Sequence, residues 1–299
     1  MTQRNFKDYS LLTARGLAMG VADVIPGVSG GTIAFITGIY EELINSIKSV
    51  NRQFFTLLFS KGIAAAWKHI NGNFLLAVFS GVLLSIFSLA SLITWLLDKH
   101  PKMVWAFFFG LIVASALHVG RTITKWNATT IISMLVGTAI AAWITIATPA
   151  TTPQTMWFIL ISGSIAITAM ILPGISGSFI LLLLGKYEFI LNAVKDLKID
   201  VILVFAVGCV LGIISFSNII SWFFKKFLNA TMALLTGFML GSLNKLWPWR
   251  KITEYYTNSE GISVPLVEKS VTPAQFTEIT GEPAQVYSVL AFMLLGFLV

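Results

Sequence analysis

Two short runs hold most of the groups able to do chemistry: Pro26-Gly27-Val28-Ser29-Gly30-Gly31-Thr32 and Pro173-Gly174-Ile175-Ser176-Gly177-Ser178. Proline removes a backbone donor and glycine favours non-helical backbone, so neither run continues a helix. A new half-helix must begin after each, at about Gly31 or Thr32 and at Ser178 or Phe179. The first amides of a helix lack partners within it, and Gly27, Gly30, Gly31, Gly174 and Gly177 allow a ligand close approach. Ser29, Thr32, Ser176 and Ser178 add hydroxyl donors. This donor set suits an anionic group such as a phosphate. The competing reading is a packed helix break whose serines satisfy loose carbonyls. Neither run continues into Gly-Lys-Ser/Thr, which excludes a P-loop.

Few charged groups lie near these runs. Asp23 is three residues before Pro26, about 5 Å along a helix axis, and its counterpart in the second run is Met170. An ionisable group at that depth in an apolar chain is a functional candidate; its alternative role is to cap the broken backbone. Arg15, roughly 16 Å from the tip, is placed to receive a phosphate or to snorkel to headgroups. Glu41 and Glu188, each about 15 Å from a tip, are gate candidates or surface positions. Tyr40 and Tyr187 suit an aromatic belt. His69, His100 and His118 fall away from both runs, and no base neighbours Ser29 or Ser176. Cys209 is the only cysteine, so neither a catalytic set, a metal site nor a cofactor is expected.

The elements that position these groups repeat. Residues 15–47 superpose on 162–194 at a shift of 147, pairing Gly16/Gly163, Pro26/Pro173, Ser29/Ser176, Gly30/Gly177, Tyr40/Tyr187 and Glu41/Glu188. Residues 81–115 superpose on 208–242 at a shift of 127, pairing Gly81/Gly208, Trp95/Trp222 and Gly110/Gly237. The difference in shift marks an insertion near 48–68, where aromatic and basic residues mix as in a helix lying at a membrane interface. Residues 128–147 pair with 285–299 on the strength of Gly137/Gly296 alone. The division is 1–150 for the first repeat and 151–299 for the second, with one polar, water-exposed loop at about 250–284.

The chain is 56% hydrophobic and only 11% charged, against about 25% charged in soluble domains. A bilayer-spanning helix needs roughly 20 apolar residues, and 74–97, 103–120, 128–147 and 201–224 qualify. The segment 285–299 reaches only about 22 Å, short of a core of about 30 Å. The net charge of +7 lies between spans, as expected of loop charges that orient a membrane protein rather than contact nucleic acid. If both runs turn back as re-entrant hairpins, eleven of the 20 basic residues lie on the cytoplasmic side; if both cross, seven do. The positive-inside rule favours re-entry. Three crossings per half then force the halves into opposite orientations, with the two tips near the midplane. The expected fold is an all-α integral membrane protein of two inverted repeats, each a re-entrant helical hairpin plus three transmembrane helices. Its N-terminus is cytoplasmic.

The paired motifs ADVIPGVSGGTIAFITGIYEELI and LPGISGSFILLLLGKYEFIL resemble those of the bacterial undecaprenyl-phosphate (polyprenyl-phosphate) translocase family, over essentially the whole chain. The resemblance implies a plasma (inner) membrane flippase that returns undecaprenyl phosphate from the outer to the inner leaflet for reuse in peptidoglycan and other envelope polymers. It maps family motif positions onto Asp23, Pro26, Gly27, Ser29, Gly30, Gly31 and Thr32, and onto Pro173, Gly174, Ser176 and Gly177. A small-anion channel or carrier is the alternative, and a lipid-phosphate phosphatase a third.

Overall fold

The computed structural model of the chain describes residues 4–25, 28–257 and 263–299. Pro26 and Gly27, expected at the first tip, lie outside the described residues, as does Glu260. The protein is mostly helical. Helix α1 (Phe6–Val24) leads to the first break, after which α2 (Gly30–Ile36) folds back along it, and α3 (Tyr40–Lys48) follows a turn at Gly38. Helices α4 (Arg52–Lys61) and α5 (Ile63–His69) form the insertion, α6 (Gly72–Ser88) and α7 (Ala90–Lys99) the next segment, and α8 (Pro101–Thr122) and α9 (Ala128–Ile146) complete the first half. The second half runs through α10 (Met156–Ile171), α11 (Gly177–Leu183), α12 (Tyr187–Lys195), α13 (Ile199–Lys226) and α14 (Leu228–Ser242). A 3-10 turn (Leu243–Leu246), strands β1 (Arg250–Thr257) and β2 (Ser263–Ser270), α15 (Pro273–Thr280) and α16 (Val286–Leu298) close the chain.

Helices α8, α9 and α13 are each long and apolar enough to cross a membrane. Pairs α5–α6 and α11–α12 are bent by 74° and 107°, so α11 and α12 do not form a straight span. Leu83, Leu84, Phe87, Leu135, Trp143, Leu203 and Leu211 point outward, as lipid-facing side chains do.

Glycines set which helices meet. A side chain on Gly16 would collide with the Val78 carbonyl, and one on Gly81 with that of Thr13. Their repeat partners behave alike: Gly163 abuts the Phe205 carbonyl and Gly208 that of Leu160. Thus α1 packs on α6 as α10 packs on α13. Gly110 and Gly296 join α8 to α16 against the Met293 and Phe107 carbonyls, and Gly237 and Gly137 join α14 to α9 against those of Met134 and Leu234. Each of these helices therefore pairs with one from the other half. Small residues permit this close approach where lipid offers no hydrophobic drive between helices.

Three local expectations change. The stretch 250–284 is not irregular: β1 and β2 form an antiparallel hairpin and α15 follows with a Thr272–Gln275 capping box. Its Ile, Val, Thr and Tyr residues favour strands once paired, a preference that its charge obscures in the sequence. The insertion is two helices, broken at Gly62 with φ +82°. Tyr40 is not in an aromatic belt. It is 2% exposed, packed between Phe35 and Phe224, because α3 presses against α13.

Candidate functional site

The first tip satisfies its own donors. Ser29 is the N-cap of α2, its Oγ accepting from the Gly31 amide at 3.1 Å. The Gly30 amide donates to Asp23 Oδ1 at 2.7 Å, and the Thr32 amide donates to the Ser29 carbonyl at 2.9 Å. The three amides expected to be open to a ligand are therefore engaged. Asp23 stands where an anion was expected, and it serves as the cap that the sequence offered as its alternative role. Gly30 lacks a side chain for a matching reason: a Cβ there would strike the Asp23 carboxylate.

The second tip is built differently. Gly174 adopts φ +84°, a left-handed conformation that glycine tolerates, against the Phe238 carbonyl. Ser176 caps none of the first amides of α11; its hydroxyl pairs with that of Ser178 at 2.8 Å. Met170 replaces Asp23 here, so no carboxylate competes for this half-helix.

The two tips touch. Ser29 Oγ donates to the Met170 carbonyl at 2.7 Å, and the Gly174 amide donates to Thr32 Oγ1 at 2.8 Å. A side chain on Gly31 would collide with the Ile171 carbonyl. Ser29 and Thr32 are fully buried, Ser176 nearly so, and Ser178 half-buried. Neither Ser29 nor Ser176 is hydrogen-bonded to a base, since their partners are a carbonyl, an amide and another serine.

The outlying candidates do not gather at the tips. Arg15 is half-buried in the middle of α1, Glu41 is exposed on the first turn of α3, and Glu188 is half-buried on the first turn of α12. The structured acid is Glu42, which takes Arg4 through two bonds of 2.7 and 2.6 Å and accepts from Asn71 Nδ2 at 2.7 Å. Lys186 is 1% exposed, donates to the Thr152 carbonyl at 2.9 Å and lies 5.3 Å from the Phe158 ring centre. Its only sequence signal is that its repeat counterpart is the apolar Ile39.

A further ionic group lies under the β-hairpin. Lys245 Nζ and Arg250 Nη1 both donate to Glu268 Oε2, at 3.2 and 2.7 Å. Burial opposes ionisation of Glu268, but Lys245 and Arg250 outweigh it and hold the carboxyl below its usual range. Glu268 is 18 residues from Arg250 and 23 from Lys245, so nothing in the sequence joins it to them.

An apolar cavity of about 500 Å³ is lined by Val21 of α1 and by Ile93, Leu96, His100, Val104, Phe107 and Phe292.

Comparison with known proteins shows the family. Residues 19–264 match the family described as undecaprenyl phosphate translocase-like. A polyprenyl-phosphate transporter of Vibrio cholerae serotype O1 is 47% identical over 280 residues, covering 94% of this chain and 91% of the relative. A polyprenyl-phosphate transporter of Staphylococcus aureus is 33% identical over 264 residues, 82% of this chain and 88% of the relative. No solved structure gives a significant match. With its apolar helices and these relatives, the chain is a bacterial membrane protein. The chain belongs to the undecaprenyl phosphate translocase-like family.

Proposed function

We propose that this protein transports a polyprenyl phosphate lipid, undecaprenyl phosphate or a close relative, from the outer to the inner leaflet of the bacterial inner membrane. The relatives' shared activity supports the substrate class. The observation that carries the site is the joining of the two tips by the Ser29–Met170 and Gly174–Thr32 hydrogen bonds into one buried, hydroxyl-lined point. Irregular backbone is tolerated at membrane depth only where protein buries it or a cavity is lined.

In this reading the halves are inverted repeats, each a re-entrant hairpin plus three crossings, with the N-terminus cytoplasmic. Two contacts support opposed entry. The end of α3 meets the end of α13 through Lys48 Nζ–Ser221 Oγ and Ser221 Oγ–Asn45 Oδ1, at 3.2 and 3.1 Å. The start of α10 instead faces the loop after α9 through Lys186, Thr152 and Phe158. The phosphate binds at the second tip, where Ser176, Gly177, Ser178 and Gly174 have no carboxylate among them. Asp23 holds the described part of the first tip, with Ser29, Gly30, Gly31 and Thr32, until it takes up a proton, and Gly27 is proposed to belong to the same site. Arg15 receives the phosphate near the cytoplasmic end, and Glu41 and Glu188 flank the two routes. The prenyl chain stays in the bilayer and lies in the apolar cavity beside Val21. No cofactor, metal or covalent step enters.

Uptake of a long-chain polyprenyl phosphate into proteoliposomes tests the reading. The expected result is transport that long-chain polyprenyl phosphates compete for and short-chain ones do not. Equal competition by inorganic phosphate points to a small-anion carrier, and release of inorganic phosphate from the lipid points to a phosphatase.

A further inference from the structure

The group beneath the β-hairpin is unbalanced for a purely structural ion pair. Two cations converge on one oxygen of one carboxylate, leaving one positive charge in excess. The Arg250 side chain is 9% exposed and that of Lys245 17%. Arg250 Nε donates to the Trp247 carbonyl at 2.9 Å, and its guanidinium stacks 4.8 Å from the Trp105 ring centre. Its Nη2 is buried with no hydrogen-bond partner. A buried guanidinium donor without a partner is costly, so an acceptor with additional oxygens is favoured there.

The position ties this group to the second tip. Lys245 Nζ lies 4.9 Å from the ring centre of Phe179, the residue after Ser178. Lys245, Glu268, Phe179, Leu183 and Val267 enclose a space of about 20 Å³, roughly one water. Glu268 arrives there from the hairpin, beside a register shift between Ile252 and Glu254 of β1. Bulges of this kind re-aim side chains. Glu268 and Arg250 belong to the same hairpin, Arg250 standing opposite Ser270, so the carboxylate can leave the cations only by a turn of its own side chain.

We infer that Lys245 and Arg250 are a receiving site for a phosphate group, a place that the Glu268 side chain now occupies. One oxygen of Glu268 now serves both cations, whereas a phosphate offers three and can also reach the orphaned Nη2. Glu268 is then a displaceable stand-in, and its departure opens the approach to Phe179 and the second tip. The inference rests on the transport reading for the identity of the lipid, but not for the chemistry of the site.

Binding to purified protein is followed by tryptophan fluorescence, since Trp105 stacks on Arg250. The probes are undecaprenyl phosphate in detergent micelles and, separately, inorganic phosphate. Glu268→Gln is expected to tighten binding of both about tenfold and Lys245→Gln to weaken it about tenfold. Because weakening alone can come from a loosened fold, the exchange Lys245→Glu with Glu268→Lys retains an ion pair. It is expected to bind no better than Lys245→Gln. Parental affinity in the exchanged variant, or no tightening in Glu268→Gln, overturns the inference while leaving lipid transport intact. If only inorganic phosphate binds, in the expected order of variants, the site stands and the lipid reading falls. Binding of neither probe by the parent overturns both.

Discussion

At the scale of single residues, the tips are governed by which acceptor each donor meets. Ser29 both donates to Met170 and accepts from Gly31, so Ser29→Ala orphans a part-buried carbonyl and a buried amide. Each costs about 1–3 kcal/mol, and thermal unfolding of the purified variant should register the loss together with reduced uptake. Asp23 poses a sharper question because its carboxylate caps Gly30. Asn caps about as well as Asp, while Ala costs about 0.5–2 kcal/mol, so Asp23→Ala is expected to melt earlier and Asp23→Asn near the parent. If the carboxylate also exchanges a proton with the arriving phosphate, Asp23→Asn loses uptake driven by a pH gradient in proteoliposomes. Gradient-driven uptake by Asp23→Asn at the parental rate would leave Asp23 a cap and nothing more.

Among elements, the β-hairpin and the glycine seams make separate demands. Lys245 and Arg250 hold the Glu268 carboxyl below its value in the unfolded chain, about 4.3. The stabilisation they confer is therefore full above that pH and is lost as pH falls through the folded value. Parent and Glu268→Gln should differ in melting temperature at pH 7, and the difference should shrink as the pH falls through the folded value. A difference that acid never reduces would mean the contact is not electrostatic. The seams predict a different pattern. Gly110 and Gly237 occupy equivalent positions against the Met293 and Met134 carbonyls. Alanine at either should cost about 1–3 kcal/mol through overpacking, with similar shifts in thermal unfolding at both sites. A large cost at only one would show that the two seams are not equivalent.

For the whole molecule, the prediction concerns orientation. With Cys209 replaced, single cysteines at Val50 and Lys125 are expected to react only with a reagent applied from the cytoplasmic side, and one at Glu260 only from outside. Labelling of position 50 from outside would make the first motif a crossing and remove the inverted arrangement on which two opposed tips depend. Helix α16 fits this layout despite its 13 residues, about 20 Å, because Gly296 seats it against Phe107 on the longer α8.

Composition, the two Pro-Gly-Xaa-Ser-Gly runs and the repeat were enough to place the helix breaks. They also placed the paired glycines and the family's signature, because apolar length and glycine spacing are local and periodic. Even Gly137/Gly296, a single identity, marked helices that make equivalent contacts. What stayed hidden depends on distance in space rather than along the chain. The sequence could not show that Ser29 reaches Met170, that Thr32 holds Gly174, or that Asp23 fills its own tip, since three-dimensional approach decides those partners. Tyr40 read as interfacial until packing on Phe224 buried it. Lys245, Arg250 and Glu268 read as loop charges until strand pairing carried a carboxylate back over 18 residues to two cations. Local propensity determined where the chain breaks. Tertiary packing decided which acceptor each freed donor found, because a buried polar group takes the partner that the fold brings within reach.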